Sequence, residues 1–133
     1  EIDLNGVFSK VNKLTLNFGL KIDIEGDEYE ILEKVLESSS KIVFIIIEFH
    51  GIDKNNKKFI NIMKKILEVF DIIHIHGNNH ALSTSDGFPI VAEITLVNKK
   101  NNLNYIENSK TFPVRGLDYP NNPFLPDIEI NFN

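Results

Sequence analysis

The stretch from Leu20 to Gly51 reads LKIDIEGDEYEILEKVLESSSKIVFIIIEFHG, and the fold turns on how it divides. Leu20, Ile22 and Ile24 alternate with Lys21 and Asp23 up to Gly26, which is the period of a strand. Asp27 follows as an N-cap, with Glu30 three residues later in the spacing of a capping box. Ile31, Leu32, Val35 and Leu36 then recur on one helical face, and Ser38 to Ser40 end the segment. KIVFIIIEFHG is almost wholly apolar and β-branched, the composition of a strand covered on both faces. Strand, helix, strand in this order predicts a crossover and a parallel pair.

Working outward, the polar segment Asp53 to Lys58 enters a second amphipathic helix carrying Phe59, Met63, Ile66, Leu67 and Phe70. FDIIHIHGNN, Phe70 to Asn79, is a third strand ending in glycine and two asparagines. A polar loop leads to FPIVAEITLVNKK, Phe88 to Lys100, a fourth strand with no helix before it. Lacking a crossover, that strand should return antiparallel. The expected class is therefore α/β, with three parallel strands, an antiparallel last strand and two or more helices. Four of the five prolines lie between Phe112 and Phe132. Residues 101–133 accordingly read as an extended tail packed on a single domain of residues 1–133, its Phe112, Leu117, Tyr119, Phe124 and Leu125 laid over a surface.

Composition narrows the function classes. A chain of 133 residues with 42% apolar content can bury one core. The absence of cysteine excludes disulfides, thiolate chemistry and cysteine metal sites. Net charge is −5 and Arg115 is the only arginine, which disfavours nucleic acid as a partner. Lys54, Lys57, Lys58, Lys64 and Lys65 read as the solvated side of the second helix. The longest apolar run, Ile42 to Ile47, is too short to span a bilayer, and the first residues carry no secretory pattern. A cytoplasmic protein without a membrane partner is expected.

Ligands of open α/β sheets bind beyond the carboxyl ends of the strands. The first strand ends in Asp23-Ile24-Glu25-Gly26, the second in Glu48-Phe49-His50-Gly51, and the third in His74-Ile75-His76-Gly77-Asn78-Asn79-His80. All four histidines thus fall at one edge of the sheet. Asp23 lies inside the strand pattern, where a carboxylate needs a cation, a metal or a donor to offset its desolvation. Glu28 and Glu30 read instead as first-turn acids that complement the helix dipole. His50 and His74 have intrinsic pKa values suited to general base chemistry. His74 and His76 share a sheet face, and His-x-His can chelate a metal that Asp23 or Glu48 would complete. Asn78 and Asn79 offer amide contacts to a polar ligand, although asparagine-rich turns also arise from backbone geometry alone.

LKIDIEGDEYEIL resembles the Lys-Ile-Asp-Val-Glu-Gly-x-Glu signature of the FkbM family of S-adenosylmethionine-dependent O-methyltransferases. The similarity continues in order through IIIEFHG, HIHGNN, PIVAEITLVNK and the tail LDYPNNPFLPDIEINF, over roughly residues 18–133. The resemblance implies a class I methyltransferase (Rossmann-like) sheet, of which the four strands here would be the fourth to seventh. It implies S-adenosylmethionine as cofactor and a hydroxyl acceptor on a sugar, as in polysaccharide biosynthesis, or on a secondary metabolite. By that match Asp23 and Glu25 end the fourth strand beside donor and acceptor hydroxyl, and His50 and His74 to Asn79 face the acceptor pocket. Asp23, His50 and His74 are the residues expected to take the hydroxyl proton, with Glu25, Glu48, His76, Asn78 and Asn79 as acceptor-binding candidates. A divalent metal near Asp23 is a further expectation. The seven glycines include no Gly-x-Gly, the turn that holds the donor in this class, so the chain reads as the C-terminal half of such a domain. A half-sheet exposes the first strand's outer edge, and with it the expectation of a homo-oligomer. Two other readings stay open: a non-catalytic assembly module that pairs through this edge, and a metal-dependent hydrolase built from Asp23, His50, His74 and His76.

Overall fold

The computed structural model describes residues 17–101 and 111–132, together with residues 6, 9, 10 and 13. Strand β1 (Phe18–Ile22) leads into helix α1 (Glu28–Glu37), and a 3-10 turn at Ser39–Lys41 opens β2 (Ile42–Phe49). Helix α2 (Asn56–Val69) runs directly into β3 (Phe70–Gly77), and β4 (Ala92–Asn98) follows after a loop. In the tail, β5 (Thr111–Phe112) and β6 (Ile130–Asn131) form a small antiparallel pair of their own.

The main sheet has the order β1-β2-β4-β3 and is mixed. β1 pairs parallel with β2, as a strand-helix-strand unit requires. β4 inserts between β2 and β3 and pairs antiparallel with both. The expected antiparallel return is therefore present, and only one of the hydrogen-bonded ladders is parallel. Three strands do point the same way, but the third, β3, meets β2 only through β4.

One sheet face carries the core. Ile45, Ile47 and Phe49 of β2, Ile94 and Leu96 of β4 and Ile75 of β3 are buried together with Leu32 and Val35 of α1 and Ile62 and Ile66 of α2. Phe49 meets Phe59 edge to face, with ring centroids 5.1 Å apart. The opposite face of β2 differs from expectation. Phe44 is 39% exposed and Ile46 only half-buried, so this strand alternates rather than being covered on both sides. Both helices belong to the one buried cluster on the other face, and an all-apolar run cannot reveal that asymmetry. Phe44 is also the cross-strand partner of Gly19, and its ring lies where a side chain at position 19 would stand.

The tail is fastened to β3. Phe112 and Ile130 are buried, and Phe112 packs edge to face against the His74 ring at 5.3 Å. Leu117, Tyr119, Phe124 and Leu125, expected to lie against the surface, are exposed instead, because the tail is held by polar contacts to β3 and its turn. The last residue of β3 approaches Ile128 and Pro89 so closely that a Cβ at Gly77 would lie 3.1 Å from each.

Candidate active site

The chain leaves β1 through Asp23 and Ile24 and reverses at Glu25 and Gly26, both at positive φ (57° and 114°). Glycine adopts such a φ freely; Glu25 does so as a turn residue immediately before it. This turn delivers Glu28 to the first helical position of α1 with its side chain directed inward rather than to solvent. Glu28 is fully buried. Its Oε1 accepts hydrogen bonds from the N–H groups of Ile24 (3.2 Å) and Gly26 (3.1 Å), and from Nδ1 of His50 (2.9 Å).

That arrangement corrects the reading of Glu28 as a dipole-facing acid. Asp27 makes no side-chain cap, and Glu30 pairs with Lys58 of α2 (2.8 Å) instead of closing a capping box. The helix start is held by Glu28 itself, which binds the turn that precedes it. Burial pushes its carboxyl up, but the bonds from Gly26, from its own backbone, from His50 and from Ile24 outweigh that and hold it below its ordinary value.

His50 follows β2 and is mostly buried. A carboxylate can only accept, so Nδ1 is the donor toward Glu28, and Nε2 is the ring's remaining nitrogen. Nε2 lies 3.6 Å from Oε2 of Glu25. Burial lowers the affinity of the ring for a second proton; the Glu28 hydrogen bond and the charges of Glu28, Glu48 and Glu25 reverse this and raise its pKa above the ordinary value. Tyr29, adjacent to Glu28, donates from its hydroxyl to the His50 carbonyl at 2.9 Å. Burial, then Glu28 and Asp53, push that phenol up to about 12, so it remains a donor. Asp23, Glu25 and His50 each offer one ligand atom, and these atoms lie within 4.8 Å of one another. This is the one such metal-capable group among the described residues.

The other sequence candidates fall into two sets. Glu48, Glu93 and His76 stand in register across β2, β4 and β3 and so share one face. Glu48 accepts from Asn78 Nδ2 at 3.0 Å, and Glu93 faces Lys21 at 3.8 Å. His74, His76 and Asn79 are occupied by the tail. His74 Nε2 lies 3.0 Å from Asp118 Oδ2, and His76 Nε2 lies 3.0 Å from Asp127 Oδ2. Asn79 is buried; its amide nitrogen donates to the carbonyls of Asn122, Leu125 and Pro126, and its oxygen accepts from Asn122 N–H. The grouping of His50 with His74 and His76 around one metal is therefore not what the structure brings together. Glu28 is the member that sequence reasoning missed. Its signal was available, because positions 28, 32 and 35 fall on one helical face and Leu32 and Val35 are buried on it.

The mixed α/β sheet thus carries exposed acids and a carboxylate-held imidazole at the exit of its parallel pair. The chain belongs to the FkbM methyltransferase domain family, whose profile matches residues 2–80. The match spans β1 to the asparagines after β3, and so includes Asp23, Glu25, Glu28 and His50; β4 and the tail lie beyond it. No curated protein and no solved structure matches the chain.

Proposed function

We propose that the chain serves methylation of a hydroxyl by S-adenosylmethionine, on a sugar or a secondary metabolite, and that it contributes the acceptor side of that reaction. The observation carrying this reading is the pair of buried Glu28 and partly exposed His50 at the carboxyl edge of the parallel strands. Family membership adds the methyl-transfer chemistry.

The donor's own cradle does not fit the residues present. No two of the seven glycines are spaced as Gly-x-Gly, and the positive-φ glycines at the ends of β1 and β2 are single turns. The chain is accordingly read as the C-terminal half of a class I methyltransferase sheet, an assignment supported by an antiparallel strand following three that share a direction. When bound, S-adenosylmethionine supplies the methyl group. What this chain's residues do concerns the acceptor: its hydroxyl must be oriented and its proton drawn away. The basic atoms at this edge are the carboxylate oxygens of Asp23 and Glu25 and the Nε2 lone pair of His50. Glu48, steadied by Asn78, lines the neighbouring part of the edge. A cytoplasmic setting goes with this reading; among the described residues no helix is long and apolar enough to cross a membrane.

Calorimetry with S-adenosylhomocysteine, on the natural protein that carries this sequence at its full length, tests the proposal. Saturable binding is expected, and it should survive His50→Ala while methyl transfer falls. Absence of binding would overturn it. The free outer edge of β1, which among the described residues pairs only with β2, favours a second reading: an assembly module that joins a partner sheet there.

A further inference from the structure

We propose that the loop from Tyr119 to Pro126 is a saccharide-binding subsite, where the rings of Tyr119 and Phe124 stack on sugar units next to the one that is methylated. Three observations carry this. First, the loop displays side chains that a packed tail would hide: Phe124 is 93% exposed and Tyr119 74%, and Leu117 and Leu125 are exposed beside them. Apolar groups gathered on one exposed segment mark a binding surface, whereas scattered ones do not. Second, the loop is held firmly while it displays them. Buried Asn79 spends its whole side chain on it, donating to the carbonyls of Asn122, Leu125 and Pro126 and accepting from the Asn122 N–H. His80 Nε2 meets the Asn121 carbonyl at 3.2 Å, and Asn122 Oδ1 accepts from the Phe124 N–H at 3.1 Å. Pro120, Pro123 and Pro126 restrict the backbone further. Rings on a loop ordered in advance bind with little further loss of entropy. Third, the loop stands at the edge where His50 lies. Its anchor Asn79 follows Asn78, which donates to Glu48, two residues before His50. β4 alone separates β2 from β3, so their exits lie about 10 Å apart. A single sugar ring falls short of that span, and two or more linked units cover it.

The chemistry of the loop selects the ligand. A pyranose presents an apolar C–H face and a rim of hydroxyls. Tyr119 and Phe124 supply flat apolar surfaces, with only prolines and asparagines between them. Among the described residues, neither the Tyr119 hydroxyl nor the Asn121 side-chain amide has a hydrogen-bond partner. Apolar faces and polar groups thus alternate along the loop, as they do along a glycan. An apolar peptide would call for a continuous apolar strip instead. The subsite rests on the methylation reading for its use, and it narrows the acceptor from a sugar or a metabolite to an oligosaccharide or longer glycan.

The test is a printed array of oligosaccharides and their monosaccharides, probed with the natural protein at its full length and without S-adenosylmethionine. Retention of oligosaccharides of one linkage type, and not of their monosaccharides, is expected. Phe124→Ala and Tyr119→Ala should each weaken it by about tenfold while leaving melting unchanged, since both rings are exposed. Asn79→Ala, which loosens the loop without removing a ring, should weaken it as well. An array with no retained glycan, or retention indifferent to both ring substitutions, overturns the proposal. So does a dimer in light scattering that Phe124→Ala dissolves, which would give the rings to a second copy of the chain. Glycan retention by a protein that takes no S-adenosylhomocysteine upholds the subsite and counts against methylation alone. Binding of S-adenosylhomocysteine with a silent array overturns the subsite and leaves methylation of another class of hydroxyl standing.

Discussion

Glu28 stands at the first helical position of α1, where an acid ordinarily faces solvent and the helix dipole, yet its carboxylate is buried and shared between a turn and an imidazole. Replacing it with alanine strips the acceptor from two backbone N–H groups and from His50, and should cost about 3 kcal/mol of stability in urea unfolding. The pair also sets a pH window. Glu28 titrates below its ordinary 4.5 in the folded chain, so its contribution is complete above that value and is lost as pH falls through the folded pKa. His50 titrates above its ordinary 6.5, so its contribution is complete below that value and is lost as pH rises through the folded pKa. In chelator, the stability difference between the natural chain and His50→Ala should therefore peak between pH 4.5 and 6.5 and shrink on both sides. A difference that stays level across pH 5 to 9 would remove the linkage. Asp23 and Glu25 drew attention in the sequence because they interrupt or end an apolar alternation. Asp23, however, lies past the end of β1 and is exposed, so the desolvation expected of it inside a strand does not arise. Glu28 was obscured by its position, since an acid in a first helical turn has a sufficient local explanation.

Among the elements, β2 bears most of the core, with Ile45, Ile47 and Phe49 fully buried. Ile47→Ala should destabilise by about 2–5 kcal/mol, through lost transfer energy and the cavity left behind. The corresponding change at Phe44, on the half-open face, should cost distinctly less, and equal costs would refute the alternation described for this strand. The order of elements was legible because hydrophobic period and length separate helices from strands. The adjacency of β4 to both β2 and β3 was not, since order along the chain leaves open which strands become neighbours. The tail's anchors were hidden for a related reason: His74 and His76 had an attractive local reading as a chelating pair, and their acidic partners lie 44 and 51 residues away. Asn79→Ala should loosen this attachment. Amide exchange over residues 122–126 should accelerate by tenfold or so, taking the lost bonds together at about 1.5 kcal/mol, while β2 exchanges as before. Unchanged exchange in the tail would show that other contacts suffice.

At the scale of the whole molecule, the outer edge of β1 and the asymmetric covering of the sheet bear on assembly. If the second reading holds, light scattering over rising concentration should show a dimer or larger species, and Lys21→Glu, on that edge strand, should shift its midpoint. A monomer at the highest concentrations would leave the edge without a role in pairing. The clasp on the tail has one more consequence, in time rather than in space. Asn79 binds residues 43 to 47 positions further along, and His76 one that is 51 positions further. Contacts of such long sequence separation form only after the intervening chain has been drawn together, and they raise the contact order on which folding rate depends. During synthesis, β3 is complete while Asp118 and Asp127 are still to be made. Its histidines must wait uncovered until those two acids emerge, so this polar edge of the sheet closes later than the strand that carries it.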